Sequence, residues 1–240
     1  DQELAMGSNA CWGAFNTGDW DLAQALIAEL DGVDLPDWAR VKLGVNAAYV
    51  PAARGDFSDA LARLADIQPL IAASTDPSWH ADFFQAQSFL ALAQGRTEEA
   101  YNDALSASDA DPRFTADAAL PGVLLGRKDQ MEAVVDRIDR AQVHNVLTGC
   151  ARRMLVAGLA AVDGRTEHAA VLFGEAVTGW RELGNVVQLT LCELAFVRLI
   201  GSQDPDASAA ATEARETLTR LGAVPFLAQL DAAERSPQPV

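Results

Sequence analysis

Apolar residues recur along this chain at three- and four-residue intervals, and hardly any stretch alternates with period two. That periodicity predicts amphipathic helices and no strands. Breakers cut the pattern into paired segments. The expected pairs are 2–16 with 20–30, 38–53 with 57–73, 78–94 with 97–108, 113–125 with 128–141, 145–162 with 166–183, and 186–200 with 206–221. A last helix over 225–234 would cap them. Pro36, Pro77, Pro112 and Pro225 fall between pairs, where proline suits a helix start. Pro51 and Pro121 fall inside, so a kink or a shortened helix is expected at each.

The joints repeat. "AQGRTEEAYNDAL" at Ala93 and "VDGRTEHAAVLFGEA" at Val162 share Gly-Arg-Thr-Glu and then Ala. "NTGDWDLAQAL", "ARGDFSDALARL" and "LGRKDQMEAVV" align with them through Gly18, Gly55 and Gly126. With Gly95 and Gly164 there are five such glycines, spaced 37, 40, 31 and 38 residues apart. Seven residues before each stand Cys11, Ala48, Ser88, Ala119 and Ala157; five after stand Ala23, Ala60, Ala100, Met131 and Ala169. Small residues at fixed offsets from a glycine are what two helices need to cross closely after a tight left-handed corner. Glu98, Glu99 and Glu167 then complement the dipole of the second helix. A sixth, looser copy keeps Ala195 and Ala207 around "GSQDPDA". The expectation is an all-α, right-handed α-solenoid of about six antiparallel hairpins with a capping helix, occupying 1–235, and a disordered tail over 236–240.

The formal net charge of −16 argues against nucleic acid or an anionic membrane as a direct partner. The short basic pairs Arg127-Lys128 and Arg152-Arg153 read as solvated helix ends. Cys11, Cys150 and Cys192 are too few and too far apart for a disulfide framework, so buried thiols in a reducing, cytoplasmic setting are expected. No basic-then-apolar leader opens the chain, and the most apolar stretch, Val186 to Ile200, is interrupted by Glu193 and Arg198 and too short to span a bilayer. With a start at Asp1 rather than Met, a processed protein or a piece of a larger one is expected.

"GRTEEAYNDALSASDADP", with Gly95, Ala100, Ala107 and Pro112 in place, resembles a tetratricopeptide repeat. The other copies keep the corner but lose the closing proline and the large aromatic of the first helix. From Leu172 to Ala233 the wording is similar to the C-terminal repeat region of large bacterial signalling ATPases: LuxR-type regulators and adenylate/guanylate cyclase proteins with an ATPase module. The resemblance implies a region that senses ligands or partners and controls an output domain elsewhere in a larger protein.

Catalytic signatures are missing. "GVLLGRKD" at Gly122 lacks the Gly-Lys-Ser/Thr ending of a phosphate loop, and there is no Gly-x-Gly-x-x-Gly. His80, His144 and His168 are isolated; His80 two residues from Asp82 is a poor metal pair, and His144 six residues before Cys150 would sit on another helix face. No catalytic residue, metal ligand or cofactor is expected. Trp20, Trp38, Trp79 and Trp180, near helix ends, read as hairpin anchors. In tetratricopeptide superhelices the first helix of each pair lines a concave groove. Counting back from the corner glycines places Asn9, Trp12 and Asn16, then Lys42, Asn46 and Tyr49, then Gln85 and Phe89, then Arg113, on that face. Lys42 and Asn46, one turn apart, partly resemble the pair with which such domains clamp a peptide carboxylate. The leading expectation is a non-enzymatic scaffold for a protein or peptide, intramolecular domains of a larger regulator included, with homo-oligomers also compatible. The alternatives are a small-ligand sensor with an enclosed pocket near Trp12, Tyr49 and Phe89, and an enzyme of unrecognised mechanism.

Overall fold

In the computed structural model, residues 2–30, 32–141 and 145–235 are described. His144 and the expected tail over 236–240 lie outside them. The described chain is helical, with no strand among those residues. The helices are α1 (Gln2–Thr17), α2 (Trp20–Leu30), α3 (Asp37–Arg54), α4 (Phe57–Ala73), α5 (Pro77–Ala93), α6 (Thr97–Ala110), α7 (Ala119–Leu125), α8 (Lys128–Arg140), α9 (Val146–Val162), α10 (Thr166–Glu182), α11 (Val186–Ile200), α12 (Pro205–Leu221) and α13 (Val224–Arg235). Successive helices pack as antiparallel pairs, and each pair leans on the next, as in a helical-repeat solenoid.

The corners follow from backbone hydrogen bonding. At Gly95, Gly95 N donates to Leu92 O at 3.0 Å and Arg96 N to Ala91 O at 2.8 Å. At Gly164, the matching pair runs to Ala161 O and Ala160 O, both at 2.9 Å. This is the double bond that closes a helix through a left-handed residue, and both glycines have positive φ (75° and 73°). Gly18 and Gly55 make the same pair. The small residues flanking the corners are buried where the two helices meet, Ala60, Ala100, Ala169 and Ala207 on the second helix and Ala48, Ala119, Ala157 and Ala195 on the first. Ser88 sits in that position in α5 and donates its hydroxyl to Ala100 O at 2.7 Å, tying the third hairpin across its crossing.

One segment departs from the expected helix map. Instead of a single helix over 113–125 there is a 3-10 turn, Pro112–Ala118, followed by the short α7. Pro121 accounts for the break. It has no N–H to give and clashes with the carbonyl four residues back, so it is tolerated in the first turn of a helix that restarts at Ala119. Pro51 does not shorten its helix, because α3 continues to Arg54.

The solenoid returns on itself. α1 packs against α11, and α3 against α13. Asn185 Nδ2 donates to Asn16 Oδ1 at 3.1 Å, Arg54 Nε to Leu221 O at 3.3 Å, and Gln229 Nε2 to Leu92 O at 2.9 Å. α11 therefore has neighbours all round, and Leu189 to Val197 are buried without interruption. An aromatic cluster binds the first three hairpins to α13: Phe15 stacks on Trp20 with centroids 5.7 Å apart, and Phe89 lies between Tyr49 (5.3 Å) and Phe226 (5.7 Å).

Closure gives some corner glycines a second duty. A Cβ on Gly55 would stand 3.2 Å from Pro225 Cγ, and one on Gly95 would meet nothing within 4 Å. Gly95→Ala is expected to cost only the left-handed backbone penalty, about 1 kcal/mol. Gly55→Ala adds a clash at the seam and is expected to cost about twice that. Urea unfolding of the two variants compares them, and equal losses would contradict a closed seam.

Candidate functional site

The first helices line the inside of the closed solenoid and leave a cavity of about 360 Å³ among them. α1 contributes Ser8, Asn9, Trp12 and Asn16; α3 contributes Lys42, Asn46 and Tyr49; α5 contributes Asp82 and Gln85. Arg113 and Asp117 enter from the 3-10 turn, Asn145 and Thr148 from the start of α9, Trp180 from α10, and Asn185 and Gln188 from the start of α11. The volume falls in the range of small-molecule sites.

Asn9, Trp12, Asn16, Lys42, Asn46, Tyr49, Gln85 and Arg113 all line this one cavity. Phe89 is a correction: it is packed behind the wall against Phe15, Tyr49 and Phe226. The long concave groove is a second correction, since the contact of α1 with α11 replaces it with a chamber.

The polar side chains hold one another. Tyr49 Oη donates to Gln85 Oε1 at 3.2 Å, and Gln85 Nε2 donates to Asp117 Oδ2 at 2.9 Å. Asn46 Nδ2 reaches both Ser8 O and Ser8 Oγ at 3.0 Å. Lys42 is paired with Asp82. The Lys42–Asn46 pair is therefore already engaged within the protein and does not stand free as a carboxylate clamp. Arg113 Nε holds Asp111 Oδ2 at 2.9 Å at the mouth. Asn185 caps α11, accepting from Gln188 N at 3.0 Å, and Asn145 caps α9, accepting from Thr148 N at 2.9 Å. Trp12 and Tyr49 form the aromatic part of the wall, with centroids 5.0 Å apart.

The acids differ in their surroundings. Burial raises Asp82, and the Lys42 ammonium pulls against that rise. Burial pushes the Asp117 carboxyl up to about 7; only the Gln85 amide opposes it. Tyr49 is raised well above its usual value by burial and then by the charges of Asp117 and Asp82. Trp180 carries an indole Nε1–H that is buried with no hydrogen-bond partner among the described residues.

Asp82, Asp117, Asn145, Trp180, Asn185 and Gln188 escaped the sequence reading. Asp117 was within its reach: it lies nine residues before Gly126, as Asn9 lies nine before Gly18 and Asn46 nine before Gly55. Asn145 and Asn185 hide behind their capping role, which is the ordinary use of asparagine at that position. The cysteines are packing residues, all three buried; a Cβ on Gly179 would stand 2.7 Å from Cys150 Sγ. Of the other histidines, His168 is exposed, and His80 Nε2 lies 3.0 Å from Ser74 O. Arg96 pairs with Glu99, Arg165 with Asp163, Arg127 with Glu98 and Arg152 with Asp139 on the outside of the hairpins. Trp20 and Trp180 are buried as expected of anchors, and Trp38 is half-exposed. Among the described residues no three His, Cys, Asp or Glu side chains are grouped to hold a metal ion, and no helix is long and apolar enough to cross a membrane.

Fold and cavity together define an all-α helical-repeat domain closed around a polar chamber. No protein-family model matches the chain, and no curated protein matches it either.

Proposed function

We propose that this chain is a non-enzymatic ligand-binding domain of tetratricopeptide type, and that the chamber is its binding site. The observation that carries the reading is the convergence of polar and aromatic side chains from α1, α3, α5, the 3-10 turn, α10 and the starts of α9 and α11 on one cavity. The lining amides are half-buried or exposed, so their polar atoms remain open to a ligand in the cavity. A solenoid needs no such chamber for its own cohesion. Closure of the ring favours a compact polar ligand over an extended peptide laid along a groove. The resemblance of Leu172 to Ala233 to bacterial signalling ATPases supports a sensory role, in which ligand occupancy tightens the contact of α1 with α11 and is transmitted to other domains.

Differential scanning fluorimetry against a library of polar metabolites tests this, with Asn9→Trp as a variant that fills the chamber from its exposed side. A ligand at 100 times its Kd stabilises by about 2.7 kcal/mol. For a chain of this size that is a rise in Tm of roughly 5–10 °C. The rise is expected in the wild type and absent in Asn9→Trp. A ligand that stabilises both equally would bind elsewhere and defeat the assignment.

A further inference from the structure

The chamber is lined by two cations, Lys42 and Arg113, and two carboxylates, Asp82 and Asp117, but both cations are already engaged. Lys42 is matched to Asp82, and Arg113 to Asp111. Asp117 remains. Its Oδ2 accepts one hydrogen bond from Gln85, and its Oδ1 has no hydrogen-bond partner among the described residues. No basic side chain comes near enough to offset its burial, which is why its carboxyl is pushed up to about 7. Asp117 is half-buried, and a partly desolvated carboxylate with an open acceptor and no counter-charge favours something positive beside it. The Tyr49–Gln85–Asp117 chain holds that acceptor in place from below: Gln85 is fixed at one end by the Tyr49 hydroxyl, so its amide presents Nε2 to Asp117. Trp12, exposed on the same wall and backed by Tyr49, adds an aromatic surface that attracts cations as well as apolar carbon. The protein's strong net negative charge draws cations toward it.

We propose that the chamber recognises its ligand through an alkylammonium group seated against Asp117, with the adjoining carbon skeleton on Trp12. This rests on the chamber being the binding site. The unpartnered indole N–H of Trp180 on the same lining offers a donor to an acceptor elsewhere in the ligand. Two sources supply such a group: a free small amine and the amino terminus of a peptide.

Isothermal titration of the full chain distinguishes them. The probes are phenethylamine, phenylalanine amide and the peptide Phe-Ala-Ala-Ala amide, each against its N-acetyl form, with 3-phenylpropionate as the anionic counterpart. The expected result is at least tenfold tighter binding of the amine than of the acetylated form. A preference confined to phenethylamine and phenylalanine amide assigns the free amine, and one kept or strengthened in the peptide assigns the peptide terminus. Asp117→Asn keeps an acceptor for Gln85 but loses the charge, and it should erase the preference; Asp117→Glu should retain it. Thermal unfolding shows whether both variants are folded. Equal binding of amine and acetylated forms, tighter binding of 3-phenylpropionate, a preference that survives in folded Asp117→Asn, or no binding of any amine probe at 10 mM would overturn the proposal. If a neutral or anionic ligand binds and Asn9→Trp blocks it, the cation assignment fails and the chamber stands. If Asn9→Trp leaves amine binding unchanged, the chamber itself fails as the site.

Discussion

Phe173→Ala is expected to lower the unfolding free energy by about 4 kcal/mol, the loss typical of a fully buried phenylalanine. Phe173 lies in α10 with no exposed surface, and its ring stacks on Phe196 of α11 at 5.1 Å with planes 10° apart. The pair joins the fifth hairpin to the helix that α1, α7, α9 and α13 all touch. Its loss leaves a void at the hub of the closed solenoid, where neighbours on every side resist collapse. For a chain of this length the drop in Tm is roughly 8–16 °C. Urea and thermal unfolding measure it. A loss below about 1 kcal/mol would mean that α11 is not the hub that its burial implies.

Glu193 has the second large effect, and it depends on pH. Its side chain in α11 has no exposed surface, neither oxygen has a hydrogen-bond partner among the described residues, and Arg181 approaches only to 3.7 Å. Burial, with the negative charge of Glu213, pushes its carboxyl from 4.5 up to about 8, against the pull of Arg181. An acid raised in this way binds its proton more tightly folded than unfolded. Its protonated form costs least below pH 4.5, and stability is lost as the pH rises from there to about 8. At about 1.4 kcal/mol per pH unit, the loss is on the order of 3–5 kcal/mol across that window. Glu193→Gln removes the titration. Its stability should match the wild type near pH 5 or fall slightly below it, because the amide adds an unpaired donor, and should exceed it by about 3 kcal/mol at pH 9. Urea unfolding across pH 5–9 checks the crossing. Parallel curves would show that Glu193 keeps its charge in the fold.

The repeat was legible because its requirements are local. A left-handed corner admits few residues besides glycine, and two helices crossing beside it admit only small ones, so Gly95 with Ala100 and Gly164 with Ala169 mark hairpins without reference to the rest of the chain. The stretch of α11 stood out as the most apolar in the chain although Glu193 and Arg198 interrupt it, and it is the most continuously buried helix segment among the described residues. Closure was not legible. It depends on how a small rotation between hairpins accumulates, and its contacts join residues more than a hundred apart, such as Asn16 with Asn185 and Arg54 with Leu221. The wall residues of α1 and α3 followed from counting back from their glycines. In the fourth hairpin a 3-10 turn replaces the expected helix, yet Asp117, nine residues before Gly126, still reaches the wall beside Gln85. Phe89 kept the groove-facing register, but the arrival of Phe226 from α13 covered it.

The chain has five tryptophans, and their placement makes one measurement decisive for the claim that ligands enter the chamber. Trp12 and Trp180 line it; Trp20, Trp38 and Trp79 do not. With the wild-type chain labelled with 5-fluorotryptophan, the fluorine spectrum can be recorded during a fragment screen. Ligands that bind are expected to shift Trp12 and Trp180 most, with Trp38 unmoved. Hits that move Trp38 or Trp79 and leave Trp12 and Trp180 in place would contradict the account.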